Sequence, residues 1–209
     1  MWKLPVLLVV FVAMSGYFAP GEANGQGYFS AGKQSFRTKQ HPKAKGLDLQ
    51  IDFPSGWLME EGKRPNVVVI ATSAAGKGLE SCTIVIRDME QDAKQAGYRL
   101  SKADVAYLTS TAGLQEEAQA SALKFIGGGP TTIEGLPAGW MIAMGPERAG
   151  LGVTFYSFVL RTFYEKWQII LNCGVGDKNS AAAWTKYQRN DPGFRLIANS
   201  IVIHSKWNK

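Results

Sequence analysis

The sequence predicts an α+β fold: a largely antiparallel β-sheet of about six to seven strands with helices on both faces, an α/β/α sandwich. Three observations lead there. Strand-like runs follow one another across short turns, as in hairpins and meanders. Some of these runs, such as VTFYSFVL from Val153 to Leu160, are apolar at successive positions, so both faces of the sheet need a cover. Helical spacing is confined to two stretches, one after residue 100 and one after residue 178, so helices and strands do not alternate regularly.

The elements are read in order. Leu47, Leu49, Ile51 and Phe53 alternate with Asp48, Gln50 and Asp52, a half-buried strand closed by the turn Pro54-Ser55-Gly56. Residues 67–72 and 82–88 form the next two strands, on either side of Gly76-Lys77. That Gly-Lys pair resembles the start of a phosphate-binding loop, but Ala71 stands where the first Gly belongs. Gly78 replaces the magnesium-binding Ser or Thr, and the run SCTIVIRD that follows is strand-like, not helical. The stretch is therefore a hairpin tip, and neither nucleotide nor cofactor is expected.

Ser101 with Asp104 marks a helix start, and Val105, Leu108 and Ala112 carry the helical spacing to about Ala120. Residues 122–126 and 131–134 read as strand broken by Gly127-Gly128-Gly129-Pro130. Strands follow at 138–145, 151–163 and 166–175, the last two joined at Tyr164-Glu165. A helix from Asn179 to Arg189 turns Trp184 and Tyr187 inward. After Asp191-Pro192-Gly193, a second helix is marked by Phe194, Ile197, Ala198 and Ile201. FPSGWL at 53–58 and LPAGWM at 136–141 echo one another as two similar turns into strands, not as a repeated domain.

The ends bound compartment and charge. Lys3 followed by the apolar run Leu4–Ala13 and then small residues has the layout of a secretory signal peptide, with cleavage placed after Ala23. An uncleaved anchor is the alternative. Residues 24–46 contribute five of the chain's six net positive charges through Lys33, Arg37, Lys39, Lys43 and Lys45, with no acid among them. This segment reads as a flexible basic arm, either a solvated tether or a weak contact with an anionic membrane surface. Residues 47–209 form one domain close to neutral, so nucleic-acid binding is not implied. Export to a periplasm or beyond places Cys82 and Cys173 in an oxidising compartment. Two readings stay open for them: a disulfide, if their strands bring the Cα atoms within about 7 Å, or two small buried hydrophobes.

The runs LQIDFPSGW, TTIEGLPAGWMIAM, YSFVLRTFYEKWQIILNC and FRLIANSI resemble the PsbP-like superfamily over residues 45–203. That group includes the extrinsic photosystem PsbP protein, exported DcrB-type proteins and a Ran-binding nuclear import factor. The resemblance implies a binding or accessory protein with no shared active site to carry over. The metal-binding residues of some members cannot be placed here, because His41 lies in the arm and His204 at the tail.

No motif of nucleophilic or metal-assisted catalysis is present, and the chain is expected not to be an enzyme. Asp88, Glu90 and Asp92 are read as a solvated polar turn. Glu116 and Glu117 are placed on an exposed helix without an acid–base role. The aromatic residues Trp57, Trp140, Tyr156, Phe158, Tyr164 and Trp167 either pack the core or line a surface for a partner or ligand. The expected function is an exported accessory protein docking onto a protein partner. The alternative is a carrier or sensor holding a small ligand between sheet and helices.

Overall fold

The computed structural model describes residues 32–75, 79–96, 100–145 and 152–207. In chain order the elements are β1 (Lys33–Arg37), β2 (Leu49–Pro54), β3 (Leu58–Glu60), β4 (Val67–Thr72), β5 (Glu80–Asp88), α1 (Met89–Ala96), α2 (Lys102–Leu108) and α3 (Thr111–Ala120). They continue with β6 (Lys124–Ile133), β7 (Leu136–Gly145), β8 (Thr154–Tyr164), β9 (Trp167–Asp177), α4 (Ser180–Asn199), β10 (Val202–Ile203) and α5 (His204–Trp207). The proposed signal peptide, residues 24–31 of the arm and the tip Gly76–Gly78 lie outside the described residues.

Seven strands form one antiparallel sheet in the order β3-β4-β5-β9-β8-β7-β6. The strands on either side of the Gly-Lys loop, β4 and β5, pair as the predicted hairpin. A second, three-stranded sheet runs β1-β2-β10, so the alternating strand at 49–54 belongs to a separate layer and not to the main sheet.

One face of the main sheet is covered by α4 and the small sheet. Leu49, Ile51 and Phe53 of β2 and Tyr187, Phe194 and Ile197 of α4 pack there against Ile84, Ile86, Ile169 and Leu171. Each such side chain contributes roughly 1.5–3 kcal/mol by leaving water. On the opposite face a smaller cluster joins Leu114 and Ala118 of α3 to Met141, Ala143, Val159 and Ile170. Gly139 permits that contact, because a Cβ there would lie 2.8 Å from the Thr109 carbonyl oxygen.

Four local readings are corrected. The Gly127–Pro130 stretch does not break the strand: β6 is continuous, and as the end strand of the sheet it tolerates a Pro without an N–H. The Asp-Pro-Gly segment does not divide the C-terminal helix, since Pro192 lies inside α4. The buried positions Ala183, Tyr187, Phe194, Ile197 and Ala198 keep one phase through it. Asp191 also accepts from the Tyr187 hydroxyl at 2.6 Å and Arg195 Nε at 2.8 Å, across the weakened turn. The helix after Ser101 is two helices, because the Ser110 side chain caps α3 by accepting from Gly113 N. The acidic run is not a turn. Asp88 Oδ1 accepts from the Glu90 and Gln91 amides and so starts α1.

The largest correction concerns the arm. Residues 33–37 form β1, in antiparallel register with Gln50–Pro54, so this part of the arm is sheet and not tether. The Lys33 ammonium and the Ser35 hydroxyl each donate to Asp52 at 2.6 Å, and Arg37 makes two bonds to Asp48 at 2.8 and 2.7 Å. Ala44 is buried in the main core. Burial pushes the Asp52 carboxyl up, but the bonds from Lys33 and Ser35 outweigh it and hold it below the usual carboxylate range. This anchor is complete above the unfolded carboxylate pKa of about 3.9 and is lost as pH falls through the lower folded value. Deleting residues 24–44 is therefore expected to lower the melting temperature by roughly 5–10 °C near neutral pH. The difference should shrink below pH ~4, and thermal melts of both chains across pH measure it.

Candidate functional site

After β2 the turn at Ser55-Gly56, with Gly56 at φ 84°, sends Trp57 back into the core. There its ring stacks on Phe53 at 6.3 Å between centroids. The chain then enters β3, where all three side chains are exposed. Leu58 is 67% and Met59 37% exposed, large apolar groups on the terminal strand of the sheet. On its inner side β3 pairs with β4, Leu58 opposite Thr72 and Met59 opposite Ala71. The outer backbone edge of a terminal strand is a template for a further strand, and here Leu58 and Met59 project to opposite faces beside it. Sequence reasoning selected Trp57 and missed its neighbour. The available signal was the apolar pair Leu58-Met59 running directly into Glu60-Glu61-Gly62.

The other aromatic candidates are likewise core residues. Tyr156, Phe158, Tyr164 and Trp167 are buried because β8 and β9 are covered on both faces. Tyr164 and Trp167 stack at 5.9 Å and tie in two distant segments: the Tyr164 hydroxyl donates to Ser205 O and Trp167 Nε1 to Lys45 O. Trp140 is half-buried, with the Arg195 guanidinium 4.5 Å from its ring centroid. The six do not form one exposed groove.

The arm's cations are largely engaged. Lys33 and Arg37 hold Asp52 and Asp48, Lys43 pairs with Glu61 at 2.7 Å, and Lys45 donates to Asn66 Oδ1 at 3.0 Å. Lys39 is exposed. Four of the five cations thus have partners within the fold, so the segment from residue 33 on is not a free tether.

Cys82 on β5 and Cys173 on β9 stand directly opposite one another, with Cα atoms 4.0 Å apart, and form a disulfide. Both are fully buried. Of the two open readings, the structure has the bond.

Opposite α4, beneath α3, lies a polar row that sequence reasoning missed. Arg161 of β8 is 1% exposed and forms an ion pair with Glu117 of α3, itself buried and not on an open helix face as predicted. Burial, reinforced by the nearby Arg87 charge, pushes the Arg161 guanidinium down to about 10. Gln168 of β9 is 0% exposed, and neither its amide nitrogen nor its amide oxygen has a hydrogen-bond partner among the described residues. Glu117 Oε1 and Arg161 Nε also lack one.

No family model matches the sequence, and no curated protein matches it. Among solved structures, the solution structure of cyanobacterial PsbP (CyanoP) from Synechocystis sp. superposes with a TM-score of 0.55 at 15% identity, covering 88% of this chain and 98% of that one. The chain has the PsbP-like fold. The match confirms the predicted α+β sandwich and, at this identity, speaks for the fold alone. Lower similarities with the PsbP-like fold here include the Ran-binding protein Mog1p of Saccharomyces cerevisiae, with a TM-score of 0.48, 10% identity and coverage of 83% and 96%. LpqN of Mycobacterium tuberculosis, involved in cell envelope biogenesis, follows with a TM-score of 0.38, 13% identity and coverage of 88% and 98%.

Proposed function

We propose that this chain is an exported, non-enzymatic accessory protein that docks onto a protein partner through the outer edge of β3. The observation that carries the reading is the exposure of Leu58 and Met59 on the sheet's terminal strand. Backbone pairing along such an edge supplies affinity, and the two apolar side chains supply contact area. Export is supported by the signal-like N-terminus and by the buried Cys82–Cys173 disulfide, a bond that persists in oxidising compartments such as a periplasm or the cell exterior. Among the described residues no helix is long and apolar enough to cross a membrane.

The test is crosslinked co-purification from the native host with wild-type protein and Leu58→Asp. Because Leu58 is largely exposed, the variant keeps its melting temperature. A discrete partner recovered with the wild type should fall by about tenfold, the loss expected of a central interface residue. Undiminished recovery with Leu58→Asp would refute the β3 assignment.

A further inference from the structure

On the α3 face of the main sheet, three polar residues sit on adjacent strands. Arg87 of β5 lies opposite Gln168 of β9, so both point to the same face. Arg161 of β8 lies opposite Ile170, two positions along β9 from Gln168, and so shares that face. Arg87 and Arg161 thus stand on the same face with only β9 between their strands. Each guanidinium already holds a carboxylate supplied by the helical layer. Glu117 of α3 pairs with Arg161, and Asp92 of α1 pairs with Arg87 at 2.6 Å. Between them, the fully buried Gln168 carboxamide has both of its polar atoms unpartnered among the described residues.

A buried carboxamide without partners is costly, and its persistence asks for a function. Two guanidiniums whose backbones stand two strand spacings and two residues apart, roughly 12 Å, flank a group that both donates and accepts. We infer that Arg87, Gln168 and Arg161 form a binding site for a small dicarboxylate, which the carboxylates of Asp92 and Glu117 occupy in the unliganded chain. Carboxylate is the chemistry named because carboxylates already sit on both arginines, matching the planar fork of guanidinium.

The ligand enters by displacing the helical layer. That layer is the less anchored one: α2 buries no side chain, and α3 contributes only Leu114 and Ala118 as buried apolar side chains to the smaller cluster. The site lies between sheet and helices and stands independently of any partner at β3.

The probe is succinate, titrated by calorimetry into the oxidised chain spanning residues 24–209, with acetate as the one-carboxylate control. Wild-type protein should bind succinate more tightly than acetate. Glu117→Gln, which removes the competing charge and keeps the shape, should tighten succinate binding about tenfold, the scale of one charge-assisted hydrogen bond. Arg87→Ala, at a partly exposed position, should fold normally and weaken binding by a similar factor. If Glu117→Gln does not fold, wild type against Arg87→Ala decides the matter. The inference is overturned by wild type showing no succinate binding at millimolar concentration, by equal binding of acetate and succinate, or by unchanged affinity in Arg87→Ala.

Discussion

Reducing the Cys82–Cys173 bond is expected to cost the domain about 4–5 kcal/mol. The two residues are 91 apart in sequence. In the chain-entropy model, opening a loop of that length restores that much freedom to the unfolded chain. Set against a typical total of ~5–15 kcal/mol, this is a large share. It corresponds to a melting temperature lower by roughly 10–20 °C. Both cysteines are fully buried between the central strands β5 and β9, so a reductant in native buffer should leave the bond intact. Urea unfolding of the oxidised and reduced forms of the same chain is the direct comparison, because no packing atoms change. Peptide mapping without reductant on protein from the oxidising compartment should recover the linked pair. Two free thiols, or equal urea midpoints, would contradict the bond's role.

The second large effect lies on the opposite face. Arg161→Met leaves Glu117 charged and buried without its cation, and should destabilise the chain by about 3–5 kcal/mol. Adding Glu117→Leu removes the stranded charge and should recover most of that loss, since apolar replacements of a buried pair are often neutral or stabilising. Urea unfolding of wild type, the single variant and the double variant separates the two terms. A near-neutral single variant would mean that Glu117 reaches solvent or neutralises itself without cost.

Periodicity made most of the main sheet legible. The long runs at 67–72, 82–88, 138–145 and after 151 became β4, β5, β7, β8 and β9, because continuous apolar character on both faces leaves little choice of environment. Short or polar elements escaped. β1 carries Lys33, Gln34, Ser35 and Arg37, whose burial alternates but whose composition reads as a tether. Its place is set by Asp48 and Asp52 across the strand pair, a tertiary match that no local window contains. Pro192 misled because buried neighbours at the right phase outweighed the local breaker, and the Gly127–Pro130 run because an end strand has no partner that needs the missing N–H.

The site was less legible than the fold. The six aromatics could be read as core or as surface; five are buried and Trp140 is half-buried, while Leu58 beside Trp57 is one of the exposed large apolar groups. The polar row had a visible trace. Arg161 interrupts an otherwise apolar strand covered on both sides, and such a charge needs a buried partner. Glu117 keeps phase with Leu114 and Ala118 on the buried side of its helix, which identifies that partner. Gln168 carried no comparable signal, because its lack of hydrogen-bond partners is a property of three dimensions only.

The proposed docking through the β3 edge is checked by placing a photo-crosslinking amino acid at position 58 in the native host. The same group at Arg189, exposed on α4, serves as the control. A discrete adduct is expected from position 58 and none from position 189. No adduct at 58, or the same adduct from both positions, would contradict that docking.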